Sequence, residues 1–194
     1  EQVPDLQALI GRNFSDLLLG DLAKSKVLVE GSSISMNAFK DLKDKLGHEF
    51  EATNGVIEQL RVVKDDSELQ LIQAACEIST KAFLEIIETV QVGQSEKFIR
   101  NALELRMREL GADGVAFDSI VASGPNSAIP HHEPTDRQVQ SGDLLKIDFG
   151  AKVAGYHADC TRTAVVGKPS DWQIDLHAAV SAAQLDGREV IRAN

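Results

Sequence analysis

The sequence predicts an α+β fold, with a sheet laid down late in the chain, covered by long helices and preceded by a smaller α/β segment. Three observations predict it. Apolar residues recur at three- and four-residue spacing through 65–90 and 95–110, the period of helices with one buried face. Strand-like alternation is concentrated between residues 119 and 166. Before about residue 60, short apolar runs alternate with short helical patterns.

The elements follow in order. "KVLVEG" reads as a buried strand, and Ser33 or Ser35 can cap a helix through "MNAFKDLKDKL" that Gly47 ends. "EFEAT" alternates as a second strand. The boundary of this first segment is expected near residues 60–65, dividing the chain into 1–60 and 61–194. Asp65 and Glu68 then form a capping box. Leu71, Ala75, Ile78, Ala82, Ile86 and Val90 mark the inward face of a long helix. Ser95 caps a second helix, with Phe98, Ala102 and Leu105 expected inward and Gly111 just past its end. Helices of this kind normally cover a sheet. "SIVAS" is the first strand of that sheet, and "GPNSAIPHHEPTDRQVQSGD" is a turn-rich connection. "LLKIDFGAKV" and "YHADCTRTAVV" are two further strands with Gly155 near their turn. Ser170 and Gln173 form another capping box, opening a helix with Trp172, Leu176, Ala179 and Ala183 expected inward.

Composition excludes several classes. The net charge of −10 argues against nucleic acid as a partner, because phosphate binding needs a basic face. No apolar run approaches the ~20 residues that span a bilayer, so no membrane partner is expected. Cys76 and Cys160 form no CxxC and no disulfide framework, which suits a reducing, cytoplasmic setting.

The chemistry is expected in "IDFGAKVAGYHADCTRT", where Asp148 interrupts an apolar run and Asp159 follows eleven residues later. A hairpin turning on Val153 and Ala154 sets these two opposite each other, with Cβ atoms roughly 4.5–5.5 Å apart. In that register Leu145, Ile147, Phe149, Ala151, Tyr156, Ala158 and Cys160 share an apolar face. Lys146, Asp148, Gly150, His157, Asp159, Thr161 and Thr163 share a polar one, and Arg162 is the misfit. Two carboxylates so close need a shared proton or a cation between them. Hard divalent ions take such oxygens, and two ions roughly 3.5–4 Å apart can be bridged by them. The alternative is an exposed hairpin whose aspartates pair with Lys146 and Arg162. The "DFG" tripeptide alone does not signal a kinase, because a Gly-rich loop, a strand lysine and an HRD loop are missing.

"SGPNSAIPHHEPTDR" adds a histidine on a constrained backbone. Pro130 fixes its own φ and pushes Ile129 to an extended shape. His131 could then serve as a metal ligand, a proton donor or a hydrogen-bond donor to a substrate carbonyl. A plain surface loop with two histidines and Glu133 is the alternative.

Together, "SGPNSAIPHH", "GDLLKIDFGAKVAGYHADCTRT" and "VKDDSELQLIQAACEIST" resemble the pita-bread metallopeptidases (family M24), in the branch of prolidase (Xaa-Pro dipeptidase) and aminopeptidase P. The resemblance runs from about Gly55 to the end. It implies that 1–60 is the tail of the smaller N-terminal domain and 61–194 the first half of the catalytic domain, a curved antiparallel sheet covered by helices. It implies that Asp148 and Asp159 are metal ligands, with Asp159 bridging two divalent ions, manganese first and cobalt or zinc also fitting. His131, not His132, matches the histidine that contacts substrate. The implied reaction is hydrolysis of the Xaa-Pro bond at the N-terminus of short peptides with proline second, by an enzyme that is often a homodimer.

The resemblance also implies one histidine and two glutamate ligands further along. After Asp159 the chain offers Asp171, Asp175, His177, Asp186 and Glu189, all on a helix that reads as surface. Two carboxylates cannot saturate two ions that want about five or six ligands each. The chain is therefore expected to be cut at both ends, inactive alone and at best a weak metal binder. Two other readings stand beside this one: a non-catalytic peptide- or protein-binding module, and a metal-free, creatinase-like hydrolase. Both belong to forms that lack the metal aspartates.

Overall fold

The computed structural model describes residues 27–46 and 49–192. The expectations for residues 1–26 and for Gly47 as a helix stop lie outside them. The chain divides into two compact units between Lys64 and Asp65.

In the first unit, β1 (Val27–Glu30) and β2 (Phe50–Thr53) pair in parallel, joined by α1 (Met36–Leu46). Ser35 rather than Ser33 caps α1, its hydroxyl accepting from the Ala38 amide at 3.2 Å. Phe39 meets Phe50 edge to face, with centroids 6.3 Å apart. A short helix not expected from the sequence, α2 (Val56–Val62), starts from Gly55 in the left-handed region (φ 72°).

In the second unit, α3 (Asp66–Ile87) begins at the expected capping box. The Asp65 carboxylate accepts from the Glu68 amide, and the Glu68 carboxylate accepts from the Asp65 amide. Its inward face is the expected one, with Ala75 and Ala82 buried and Leu71, Ile78 and Ile86 half-buried, while Val90, expected on the same face, lies past the helix end and is half-buried there. α4 (Glu96–Glu109) is capped by Ser95 as expected, but it buries a different stripe. Ile99, Leu103 and Met107 are buried, whereas Phe98 is 56% and Leu105 59% exposed. The helix carries two apolar stripes, and the buried one is continued at its first turn by a charged residue, Glu96. An apolar-period reading passes over such a stripe.

The strands form two three-stranded antiparallel sheets. One has the order β4 (Ile120–Ser123), β5 (Leu144–Phe149), β8 (Cys160–Val165). The other has the order β3 (Gly114–Val115), β6 (Ala151–Val153), β7 (Tyr156–His157). The two long strands read from the sequence are thus each broken, at Gly150 and at Ala158–Asp159. Phe149, Ile147, Leu145 and Val121 meet Ile99, Leu103 and Met107 in one core, where Phe83 stacks on Phe149 at 5.4 Å. Ser79, which apolar periodicity does not select, spans the layers. Its hydroxyl donates to Ala75 O and accepts from the buried Ala151 amide at 2.9 Å. Ser79→Ala should therefore cost about 1–3 kcal/mol, the penalty of an orphaned buried amide, read from the denaturant midpoint. A loss below about 0.5 kcal/mol would show that this bond is dispensable.

α5 (Asp171–Glu189) has its expected Ser170–Gln173 capping box. It does not bury the expected face, since Trp172 is 59% exposed and Leu176 is also exposed. Gln173 is its one buried residue among those described, and its side-chain amide donates to Gly142 O. The capping turn is held to the sheet, and no surface among the described residues covers the apolar side beyond it.

Candidate metal centre

The turn decides how the two aspartates meet. It centres on Ala154 and Gly155, not on Val153 and Ala154. Both turn residues have positive φ, 48° and 86°, which matches a two-residue turn whose twist suits the strands. The register is consequently displaced by two residues from the expected one. Asp148 faces Thr161, with Phe149 opposite Cys160 and Lys152 opposite His157. An even displacement keeps every side chain on its face. Leu145, Ile147, Phe149, Ala151 and Ala158 are buried, while His157, Asp159, Thr161 and Thr163 are exposed. Asp159 is exposed and lies in the two-residue gap between β7 and β8, one residue before the Cys160 that faces Phe149, so the same hairpin carries both aspartates. Direct opposition of the two carboxylates is thus replaced by Thr161 opposite Asp148.

The pairing with Lys146 and Arg162 does not form. Lys146 Nζ donates to the carbonyls of Ile129 (2.5 Å) and Pro130 (3.2 Å). Arg162, exposed and opposite Ile147, donates to Thr161 O. The hydrogen bond at Asp148 comes instead from the Thr161 hydroxyl, at 2.8 Å to Oδ1. Two carboxylates on one hairpin, Asp148 oriented by a hydroxyl and neither paired with a lysine or arginine among the described residues, are oxygen donors of the kind a hard divalent ion takes. Among the described residues, no three His, Cys, Asp or Glu side chains gather closely enough to hold an ion.

Gly150 makes the junction. A Cβ there would lie 1.8 Å from Ala158 O and 2.7 Å from its carbonyl carbon. The bare backbone lets β5 and β6 bend past the segment that carries Asp159.

His131 lies in a turn after a 3-10 helix (Gly124–Ala128), with Ile129 extended as expected (φ −91°, ψ 116°). Its ring is exposed. The Lys146 bonds tie the backbone just before it to β5, on the side that bears Asp148. Sequence reasoning missed what lies behind it. His132 is only 8% exposed, and its Nε2 sits 2.8 Å from Glu96 Oε2. Glu96 itself is 0% exposed. Oε1 accepts from the Ser123 amide (2.7 Å), the Ser123 hydroxyl (2.8 Å) and the Asn126 amide (3.0 Å). Oε2 accepts from His132, the Thr135 amide (3.0 Å) and the Thr135 hydroxyl (2.8 Å). Burial pushes the Glu96 carboxyl up, but the donors, led by His132 and Asn126, hold it down at about 2. Beside it, Arg137 donates to the Ser123 hydroxyl and to both oxygens of Asp143. Asp143 is likewise held low, because the Arg137 guanidinium and the Gln140 amide outweigh its burial. The one available signal for this network was a glutamate in the inward stripe of a helix.

Residues 70–194 match metallopeptidase family M24. The Xaa-Pro dipeptidase of Pyrococcus horikoshii is 38% identical over 154 residues, 79% of this chain and 44% of that protein. Among solved structures, the X-Pro aminopeptidase of Thermotoga maritima superposes with a TM-score of 0.87 at 39% identity, over 95% of this chain and 54% of that one. The Xaa-Pro dipeptidase of Bacillus anthracis gives 0.82 at 38% identity, over 87% and 47%. The chain thus spans about half the length of the relatives it matches, and its α+β architecture is that of a pita-bread peptidase. With the match covering the helices, the histidine turn and the aspartate hairpin alike, the chain belongs to metallopeptidase family M24.

Proposed function

We propose that this chain supplies the two-aspartate side of the metal centre of an exopeptidase that hydrolyses the Xaa-Pro bond at peptide N-termini. Asp148 and Asp159 hold divalent ions, manganese foremost, and His131 faces the substrate. When bound, such ions polarise a scissile carbonyl and acidify water. The chain's own residues do the rest. The Thr161 hydroxyl orients Asp148, Lys146 ties the backbone before His131 to β5, and the exposed His131 imidazole is free to donate to a substrate carbonyl. The substrates are short peptides with proline second, and the setting is cytoplasmic. The observation that supports this reading is the pair of hairpin carboxylates, Asp148 in β5 and Asp159 just before β8, with no lysine or arginine partner among the described residues.

Calorimetric titration with manganese tests it. The parent chain should bind weakly, and Asp148→Asn or Asp159→Asn should each abolish the heat while leaving the thermal midpoint within a few degrees. Binding that survives both substitutions overturns the assignment. Because two carboxylates leave the ions short of ligands, an Xaa-Pro dipeptide should not turn over with the chain alone. Turnover would overturn the half-site reading.

A further inference from the structure

The His131 ring forms no hydrogen bond among the described residues, so its placement depends on the backbone at either side. Before it, Lys146 holds the carbonyls of Ile129 and Pro130. After it, Glu96 holds His132 and Thr135. A carboxylate only accepts, so His132 Nε2 carries the hydrogen and its ring is fixed in tautomer and orientation. The same carboxylate also grips Ser123 and Asn126, where the loop leaves β4.

Stability alone does not call for this arrangement. A buried charge with its partners is often matched or bettered by well-packed apolar residues of similar volume. Six directed hydrogen bonds, two from Ser123 at the end of β4 and four from Asn126, His132 and Thr135 in the segment after it, specify that segment's shape instead. We infer that Glu96 is a positioning residue for His131, acting through the His132 ring and Thr135 to fix the backbone that presents the His131 imidazole on the Asp148 side of the sheet. This rests on the reading of His131 as the substrate-facing group.

The test follows the ring signals of histidine-labelled chain by NMR. The parent should show one sharp His131 Cε1–H signal. Glu96→Gln keeps the size but replaces one three-fold acceptor with an amide donor. It should split or erase that signal while the methyl signals of Leu103 and Met107 stay at their folded positions. His132→Phe fills the space without a donor and should reproduce the loss. His132→Gln restores an N–H donor and should restore the single signal. An unchanged His131 signal in both Glu96→Gln and His132→Phe overturns the inference. So does equal loss in His132→Gln and His132→Phe, which would mark a packing role. If Glu96→Gln unfolds, the two His132 variants decide. The measurement needs no substrate, so it stands apart from the Xaa-Pro reading, which fails instead if His131→Ala leaves turnover by a metal-complete form unchanged.

Discussion

Gly150→Ala should unfold the sheet junction and, with it, remove the metal binding proposed above for Asp148 and Asp159. The added methyl would meet Ala158 O at 1.8 Å, far inside van der Waals contact, and Ala116 Cβ at 3.2 Å. The obstacle is backbone, so no rotamer change relieves it. The backbone is itself pinned on both sides. Gly150 O accepts from the Ala116 amide at 2.8 Å, and the Ala158 amide donates to Ala151 O at 3.0 Å. The strands can separate only by breaking these bonds, so the cost should reach roughly 3 kcal/mol, the upper end for overpacking. A urea midpoint measures it. Gly187→Ala in α5 is the control, because nothing lies within 4 Å of its added Cβ. In a helix that change should gain up to about 1 kcal/mol. Equal midpoints for parent and Gly150→Ala would sink the argument for the junction.

Acid should selectively weaken the loop held by Glu96. Its folded carboxyl titrates at about 2, against about 4.3 for a free glutamate. A depressed folded value means the stabilisation is complete above the unfolded value and is lost as pH falls through the folded one. The window therefore runs from about pH 5 to about pH 2, and the contribution is on the order of 3 kcal/mol. Denaturation of the parent and of Glu96→Gln at several pH values measures it. The stability gap between them should be widest near neutrality and close towards pH 2. Asp143, also held low, keeps a smaller slope in the variant. Identical slopes in both proteins would show that Glu96 is not the group responsible.

What was legible in the sequence was local. The capping boxes at Asp65–Glu68 and Ser170–Gln173 sit within four residues, and both form. The polar and apolar faces of the hairpin were legible because alternation survives an even shift. The register itself was not, because it depends on a left-handed Ala154 that nothing in its side chain announces. The buried stripe of α4 was misread because its first member, Glu96, is charged, and what permits that burial arrives from residues 123–135. His132 is visible in the sequence beside His131, but its buried role is not, because its partner lies 36 positions away. The apolar side of α5 was expected inward on periodicity, which states only that a helix has such a face and not what meets it.

The Glu96 network also sets an order of events during folding. The helix it opens can form from local contacts, but its first turn carries a charge whose donors lie 27 to 39 residues downstream. Until β4 and the following loop close onto it, docking that turn would strip water from a carboxylate and return nothing. Closing a loop of this length is slow relative to helix growth. The helix end therefore stays solvated until the loop arrives, and the loop reaches its final shape in the same step that buries the charge.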